Sequence, residues 1–100
     1  LKVLHRQFRR ERQYIERFER EVSYCRRVAH PNVVKIFDLH STEEDIFFSM
    51  EYVQGRSLED VIKESSLNYE IITRLLIEIC DGLRAIHTEG IVHRDLKPGN

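Results

Sequence analysis

Two β-rich runs that lie between two long helical patterns constrain the fold of this chain most. Residues 33–39 and 46–53 are rich in aromatic and β-branched residues, and a short polar link joins them. Two such runs predict an antiparallel hairpin, with a turn from Ser41 to Asp45. Because strands and helices both occur, the pattern argues against a purely helical interaction module and predicts an α+β fold.

The first helical pattern runs from about Phe8 to Ala29, which contains no Gly or Pro and is dense in Arg and Glu. Its apolar residues recur with the spacing of an amphipathic helix, and Glu21 falls within the apolar stripe. A carboxylate on an apolar face is costly unless a cation meets it there. Two cations are candidates: Arg17, four residues earlier, and Lys2, in the apolar run at the start of the chain.

Proline and glycine mark where the helical patterns end. Pro31 ends the first pattern, because proline disfavours helix in the preceding residue, and we interpret His30 as a turn residue. Ser57 suits the N-cap of a short helix, with Asp60 at the capping-box position. Residues 65–68 break that helix.

The longest helix is predicted from Tyr69 to Glu89, with apolar residues repeating at three and four as in the core of a helical layer. Gly82 inside this helix indicates a close packing contact, since glycine costs about 1 kcal/mol relative to alanine there. Gly90 suits a left-handed helix terminator.

Composition narrows the possible partners and the compartment. The charges of sixteen basic and seventeen acidic residues nearly cancel, so no concentrated positive charge indicates nucleic acid as a partner. No apolar run is long enough to cross a bilayer, and we expect no membrane contact in these residues. Cys25 and Cys80 stand singly, which predicts buried free thiols in a reducing compartment, and hence a cytoplasmic location.

The last eight residues, His93 to Asn100, combine the side chains that phosphoryl transfer to a hydroxyl requires. The transfer needs an acceptor for the hydroxyl proton, a cation for the moving phosphoryl group and oxygen ligands for magnesium. Asp95, Lys97 and Asn100 could supply these in turn. A solvated polar loop is the ordinary alternative for such a short run.

The order of this run, His-Arg-Asp followed by Asn five residues after the Asp, resembles the catalytic loop of eukaryotic-type protein kinases. Lys97-Pro98 resembles the sequence found in the serine/threonine branch, and the sequence of the loop is similar to that of bacterial members. The resemblance implies a partial protein-kinase-like fold, with a small lobe of one hairpin and one helix in residues 1–53. A hinge at 54–56 and the start of a helical large lobe at 57–100 would follow, within a longer kinase domain.

The resemblance also assigns roles within the loop. Asp95 would be the catalytic base, Lys97 would contact the γ-phosphate of ATP, and Asn100 would bind Mg²⁺. His93 would be structural. Arg94 has two readings, a partner for a nearby carbonyl or carboxylate and a receiver for a phosphorylated activation loop, of which the second is preferred.

The remaining ATP contacts implied by the resemblance lie in the small lobe and the hinge. Lys2 and Glu21 would form the ion pair that holds the α- and β-phosphates. Met50 would lie behind the adenine, and the backbones of Glu51 and Val53 would hydrogen-bond to it.

The expected function is transfer of the γ-phosphoryl group of ATP to serine or threonine hydroxyls of protein substrates, with Mg²⁺ as cofactor. The main alternative is a pseudokinase or scaffold that keeps the fold and binds partners without catalysis. Lys2, Glu21, Asp95 and Asn100 together argue against it. A small-molecule phosphotransferase of the same superfamily is a further alternative, although the Arg-Asp-Leu-Lys-Pro run resembles the protein-directed branch.

Overall fold

The computed structural model describes residues 2–3, 12–42, 45–64 and 67–100, with backbone alone at residues 2–3. Three strands and three helices follow one another in the described residues. They are β1 (Lys2–Val3), α1 (Arg12–Cys25), β2 (Ile36–Ser41), β3 (Ile46–Met50), α2 (Leu58–Glu64) and α3 (Tyr69–Thr88). This mixture confirms the predicted α+β class.

The three strands form one antiparallel sheet in the order β1-β3-β2. β2 and β3 are the predicted hairpin, and its turn is closed because the amide of Asp45 donates to the Thr42 hydroxyl at 2.8 Å. β1 pairs with the other edge of β3, where Lys2 lies opposite Phe48. The central strand β3 pairs with both neighbouring strands and continues directly into the segment predicted to bind adenine.

Helix α1 packs on the sheet through aromatic and aliphatic side chains. The rings of Phe18 and Phe48 lie 5.9 Å apart between centroids. Val22, Val28 and Ile46 are also buried, and with Phe48 they belong to the apolar core of the described residues. The expectation that the first helix packs against the hairpin is confirmed.

The ends of these elements differ from the predicted ends because local hydrogen bonds intervene. α1 ends at Cys25 rather than Ala29, since the amide of Val28 donates to the Cys25 carbonyl and tightens the chain after the helix. The start predicted at residues 8–11 lies outside the described residues. β2 begins at Ile36 rather than Val33, because the amide of Val33 is taken by the His30 carbonyl. β3 ends at Met50, three residues earlier than predicted.

Helix α3 begins at Tyr69 as predicted and ends at Thr88, one residue before the predicted end, and Gly90 beyond its C-cap has φ +74°, as expected of a left-handed terminator. Its apolar stripe is less buried than predicted, since Gly82 and Ile86 are its buried residues and Leu76 is 56% exposed. The prediction that both cysteines are buried is wrong for Cys80, which lies on this exposed face, whereas Cys25 is partly buried. Neither cysteine forms a disulfide.

An apolar groove separates α3 from α2. It is lined by Leu58, Ile62, Leu67, Ile72, Leu75, Leu76 and Ile79. Among the helices that the structure describes, none is long and apolar enough to cross a bilayer.

Candidate active site

The loop that carries the candidate catalytic residues leaves α3 through two tight bonds. The amide of Gly90 donates to the His87 carbonyl at 2.9 Å, and that of Ile91 donates to the Ile86 carbonyl at 3.1 Å. The chain then bends at Arg94, which has φ +64°, in the left-handed region. This backbone turn delivers the Asp95 side chain to the exposed surface beyond the end of α3.

Asp95, Lys97 and Asn100 come together in one small cluster. The amide nitrogen of Asn100, Nδ2, donates to the backbone carbonyl of Asp95 at 2.8 Å and to its carboxylate Oδ2 at 2.9 Å. Lys97 Nζ lies 3.3 Å from the same Oδ2. A backbone bond of 3.0 Å from the amide of Asn100 to the Lys97 carbonyl closes the turn. The three residues predicted to carry the chemistry are therefore neighbours.

These contacts favour the ionised form of the Asp95 carboxylate. The hydrogen bond from Asn100, followed by the hydrogen bond and charge of Lys97, lowers the pKa of Asp95 below its ordinary value of 3.8. A carboxylate that is ionised at neutral pH can accept a hydrogen bond from a substrate hydroxyl and then its proton. The Asp95 side chain is 68% exposed, so a substrate hydroxyl can reach it.

The side chain of Asn100 can offer an oxygen ligand to a hard cation such as Mg²⁺. Both groups that the Asn100 side chain faces, the carbonyl and carboxylate of Asp95, are acceptors, so the amide nitrogen must point toward them. The amide oxygen Oδ1 is then the atom left for a hard cation such as Mg²⁺. Within the described part of the chain, no group of three or more His, Cys, Asp or Glu side chains forms a further candidate metal site.

Helix α2 supports the far end of the loop. The amide of Glu59 donates to the Pro98 carbonyl at 2.9 Å, and a Cβ atom at Gly99 would meet Glu59 Oε2 at 2.7 Å. Glu59 occupies the first turn of α2, where the Ser57 hydroxyl accepts the amide of Asp60 at 3.1 Å as the predicted N-cap. No local pattern of residues predicts this contact between α2 and the loop.

Glu21 connects α1 to the loop. Its Oε1 atom lies 3.1 Å from Arg17 Nε and 3.5 Å from Arg94 Nη1. The prediction that Glu21 lies on the apolar face is wrong: its side chain is 55% exposed, because both guanidinium groups meet it at the surface. Arg94 thus pairs with a carboxylate, which was the less favoured of the two roles predicted for it. The side chain of Lys2 lies outside the described residues, so its pair with Glu21 stays a prediction.

The predicted adenine-binding segment follows β3 directly. Met50 is partly buried and pairs with Ile36 in the register. The amide of Glu51 donates to the Lys35 carbonyl at 2.8 Å, and no backbone amide of a described residue donates to the Glu51 carbonyl, which could therefore meet a base edge. Val53 is 62% exposed, and neither its N–H nor its C=O is hydrogen-bonded to any described residue. The backbone carbonyl of Glu51 and the backbone N–H and C=O of Val53 are therefore accessible.

The fold and this loop define a protein kinase domain. The family model described as "protein kinase domain" matches residues 1–100, and the chain belongs to this family.

Curated relatives agree with the family. The chain is 35% identical to a probable serine/threonine-protein kinase of Clostridium perfringens, over 100% of this chain and 15% of that protein. It is 40% identical to the serine/threonine-protein kinase pkn2 of Myxococcus xanthus, over 100% of this chain and 12% of that protein. The chain thus spans less than a fifth of the length of either relative.

The crystal structure of the PknI kinase domain of Mycobacterium tuberculosis shows the same fold. The two chains superpose with a TM-score of 0.83 over 98% of this chain and 41% of that one, at 23% identity. The predicted partial kinase fold is confirmed by this match.

Proposed function

We propose that these residues are part of an ATP- and Mg²⁺-dependent protein kinase that phosphorylates serine or threonine hydroxyls of protein substrates. The observation that carries the proposal is the cluster in which Asn100 and Lys97 contact the exposed Asp95 carboxylate. Family membership and the two relatives named as serine/threonine-protein kinases support it. The proposal includes a cytoplasmic location, where ATP would reach the site.

The cluster suits the proton transfer that accompanies phosphorylation. Asp95 accepts a hydrogen bond from the substrate hydroxyl and so directs its oxygen at the γ-phosphorus. As the new O–P bond forms and the bond from the γ-phosphorus to the β,γ-bridging oxygen breaks, the hydroxyl proton passes to Asp95 and ADP leaves. Mg²⁺, held in part by the Asn100 amide oxygen, would neutralise charge on the phosphate oxygens.

Lys97 has two tasks in this proposal. Its ammonium group lies 3.3 Å from Asp95 Oδ2 and is 57% exposed, so it can contact a phosphate oxygen and still remain near the base. Lys2 and Glu21 would grip the α- and β-phosphates. The free carbonyl of Glu51 and both backbone groups of Val53, with Met50 behind them, would hold adenine.

Replacement of the base tests the proposal. In the complete kinase domain, Asp95→Asn should reduce phosphoryl transfer to a peptide by at least about a hundredfold, because an amide cannot take the proton. Nucleotide affinity should stay close to wild type. Transfer is measured with radiolabelled ATP, and affinity by titration calorimetry.

Asp81→Asn is the matched control, because Asp81 makes a surface ion pair with Arg84 on α3. It should keep the wild-type rate. Near-wild-type transfer by Asp95→Asn would remove Asp95 from its role. A wild-type domain that binds partners but transfers no phosphate would identify a pseudokinase instead.

A further inference from the structure

The backbones of Lys35 and Glu51 make only one of the two hydrogen bonds that their register allows. Ile36 and Met50 are partners across β2 and β3, so Lys35 and Glu51 are the next residues opposite each other. The amide of Glu51 donates to the Lys35 carbonyl at 2.8 Å. In an antiparallel pair of this kind the two residues exchange both bonds, so the amide of Lys35 should donate to the Glu51 carbonyl. That second backbone bond is not formed, although the structure describes both residues.

The Glu51 side chain takes the place of its own carbonyl. The amide of Lys35 donates instead to the Glu51 carboxylate oxygen Oε2, at 3.3 Å. A carboxylate is a stronger acceptor than a neutral carbonyl, because the bond it accepts is charge-assisted. The Lys35 amide is therefore satisfied without the Glu51 carbonyl. The missing backbone bond also accounts for the end of β3 at Met50.

A second polar side chain of β3 replaces backbone partners in a similar way. The Ser49 hydroxyl accepts the amide of Asp38 at 3.2 Å and donates to the Asp38 carbonyl at 3.3 Å. Asp38 lies where the register of β2 with β3 shifts, between Ile36 and Leu39. Side chains of β3 thus replace ladder bonds on both sides of this register, and side-chain oxygens align the end of β3 with β2.

The arrangement at Glu51 leaves a free acceptor in the segment predicted to bind adenine. A carbonyl oxygen can only accept, so the base edge that meets it must carry an N–H group. The 6-amino group of adenine is such a donor. The 6-oxo oxygen of guanine is a second acceptor, and its approach would leave both oxygens unpaired. The free carbonyl therefore favours adenine over guanine.

Without the Glu51 carboxylate, the Lys35 amide and the base would compete for one carbonyl. The Lys35 amide would turn to the Glu51 carbonyl, since opposing residues of this kind normally exchange both bonds. A carbonyl oxygen has two lone pairs, but a ladder bond holds it in the plane of the sheet and points it at β2. The carbonyl would then be directed away from the base.

We propose that Glu51 is a positioning residue whose side chain takes the Lys35 amide, so that its own backbone carbonyl stays free to accept the 6-amino group of adenine. The carboxylate does not touch ATP in this proposal. It acts through the direction of the carbonyl and thereby favours ATP over nucleotides without a 6-amino group. The inference rests on the proposed kinase function, because it refines how that site selects its nucleotide.

Nucleotide binding to a variant without the side chain tests the proposal. In the complete kinase domain, Glu51→Ala should weaken the binding of ATP with Mg²⁺ about tenfold, the usual contribution of one hydrogen bond to a ligand. Purine riboside triphosphate lacks the 6-amino group and has no such bond to lose. Its affinity should differ by less than about twofold between the wild type and Glu51→Ala. Titration calorimetry measures all four affinities.

The four affinities separate the direction of the carbonyl from a general effect on the segment. A tenfold loss for both nucleotides would mean that the side chain acts on the shape or stability of the whole segment, and would overturn the proposal. Equal affinity of the two proteins for ATP would overturn it as well.

Two further variants separate the hydrogen bond from the charge and from the loss of any glutamate. Glu51→Gln keeps an oxygen that can accept the Lys35 amide, so its ATP affinity should stay within about threefold of wild type. Glu16→Ala removes a glutamate that pairs with Arg12 on the exposed surface of α1, and it should leave ATP affinity unchanged. A loss in Glu51→Gln as large as that in Glu51→Ala would assign the effect to charge and contradict the proposal.

A crystal structure tests the rearrangement without any nucleotide. In Glu51→Ala, the Lys35 nitrogen should lie within about 3.2 Å of the carbonyl oxygen of residue 51. A Lys35 amide bonded to water, with that carbonyl in its wild-type direction, would refute the proposal. A wild-type domain that gives the expected binding results but transfers no phosphate would support this inference and refute the proposed kinase function.

Discussion

The Asp95 carboxylate is controlled by residues of its own loop. Asn100 contacts both its carboxylate and its carbonyl, and Lys97 adds a positive charge. Because both partners favour the charged form, the folded-state pKa lies below 3.8. Stability derived from these contacts is therefore fully present above the unfolded-state pKa and is lost as the pH falls through the lowered value.

Asn100→Ala should raise the pKa of Asp95 toward its ordinary value, because the largest cause of the lowering is the amide hydrogen bond. Lys97→Met should shift it in the same direction. The carboxyl carbon resonance of Asp95, followed by NMR during an acid titration without nucleotide, gives the value directly. A pKa that falls or stays constant in both variants would contradict the assigned contacts.

At the scale of elements, the short helix α2 connects the segment after β3 with the loop that contains Asp95. The Ser57 hydroxyl caps α2, and the amide of Glu59 in its first turn holds the Pro98 carbonyl. The start of α2 therefore contributes to the position of residues 98–100.

Ser57→Ala should destabilise the domain by about 1 kcal/mol, the usual cost of losing an N-cap, and should loosen the Pro98 contact. Chemical denaturation measures the free energy of unfolding. Ser23→Ala, at an exposed position within α1, is the control and should change stability little. Equal stability of the Ser57 and Ser23 variants would show that the cap contributes nothing here.

Local patterns predicted the elements well, whereas contacts between elements were mostly unpredictable. The hairpin, the two main helices, the Ser57 cap and Gly90 each follow from residues close together in the chain. The contact of Glu59 with Pro98 joins positions 39 residues apart and has no local pattern. For Gly82 the close contact was predictable, but its partner, the Asn32 carbonyl oxygen, was not.

In the candidate site, too, local features were predictable and contacts between distant residues were not. Asp95, Lys97 and Asn100 were singled out by their residue types and by the resemblance to a kinase catalytic loop, and their positions within six residues of one another favour the cluster that the structure shows. The partner of Arg94 was not predictable, because it depends on how α1 lies against a loop 73 residues later in the chain. The stripe of α1 placed Glu21 on an apolar face, yet the nearby guanidinium groups keep it at the surface.

At the scale of the whole molecule, the described residues leave the site and one side of α3 open to water. Leu76, Ile77 and Tyr69 on α3 are 56%, 58% and 86% exposed. The loop residues from Val92 to Asn100 are exposed as well. Electrostatic catalysis of phosphoryl transfer depends on a preorganised site that excludes water, and these residues alone do not provide one.

Residues 1–100 expressed alone should therefore show no measurable phosphoryl transfer. The assay uses radiolabelled ATP and a peptide that the complete kinase domain phosphorylates, with that domain as the positive control. Circular dichroism should accompany it to establish that the helices have formed. Phosphorylation of the peptide by the folded 100-residue chain would contradict this expectation.

Glu21 Oε1 is shared by Arg17 and Arg94, and both contacts lie in solvent. Dissolved salt at about 1 M shortens the screening length to about 3 Å, comparable to the separations in these two pairs, whereas the neutral amide of Asn32, bonded to the Glu78 carbonyl, is nearly insensitive to salt. Ionic strength should thus release the electrostatic tether between α1 and the loop while the amide tether holds, so a salt titration can separate the two.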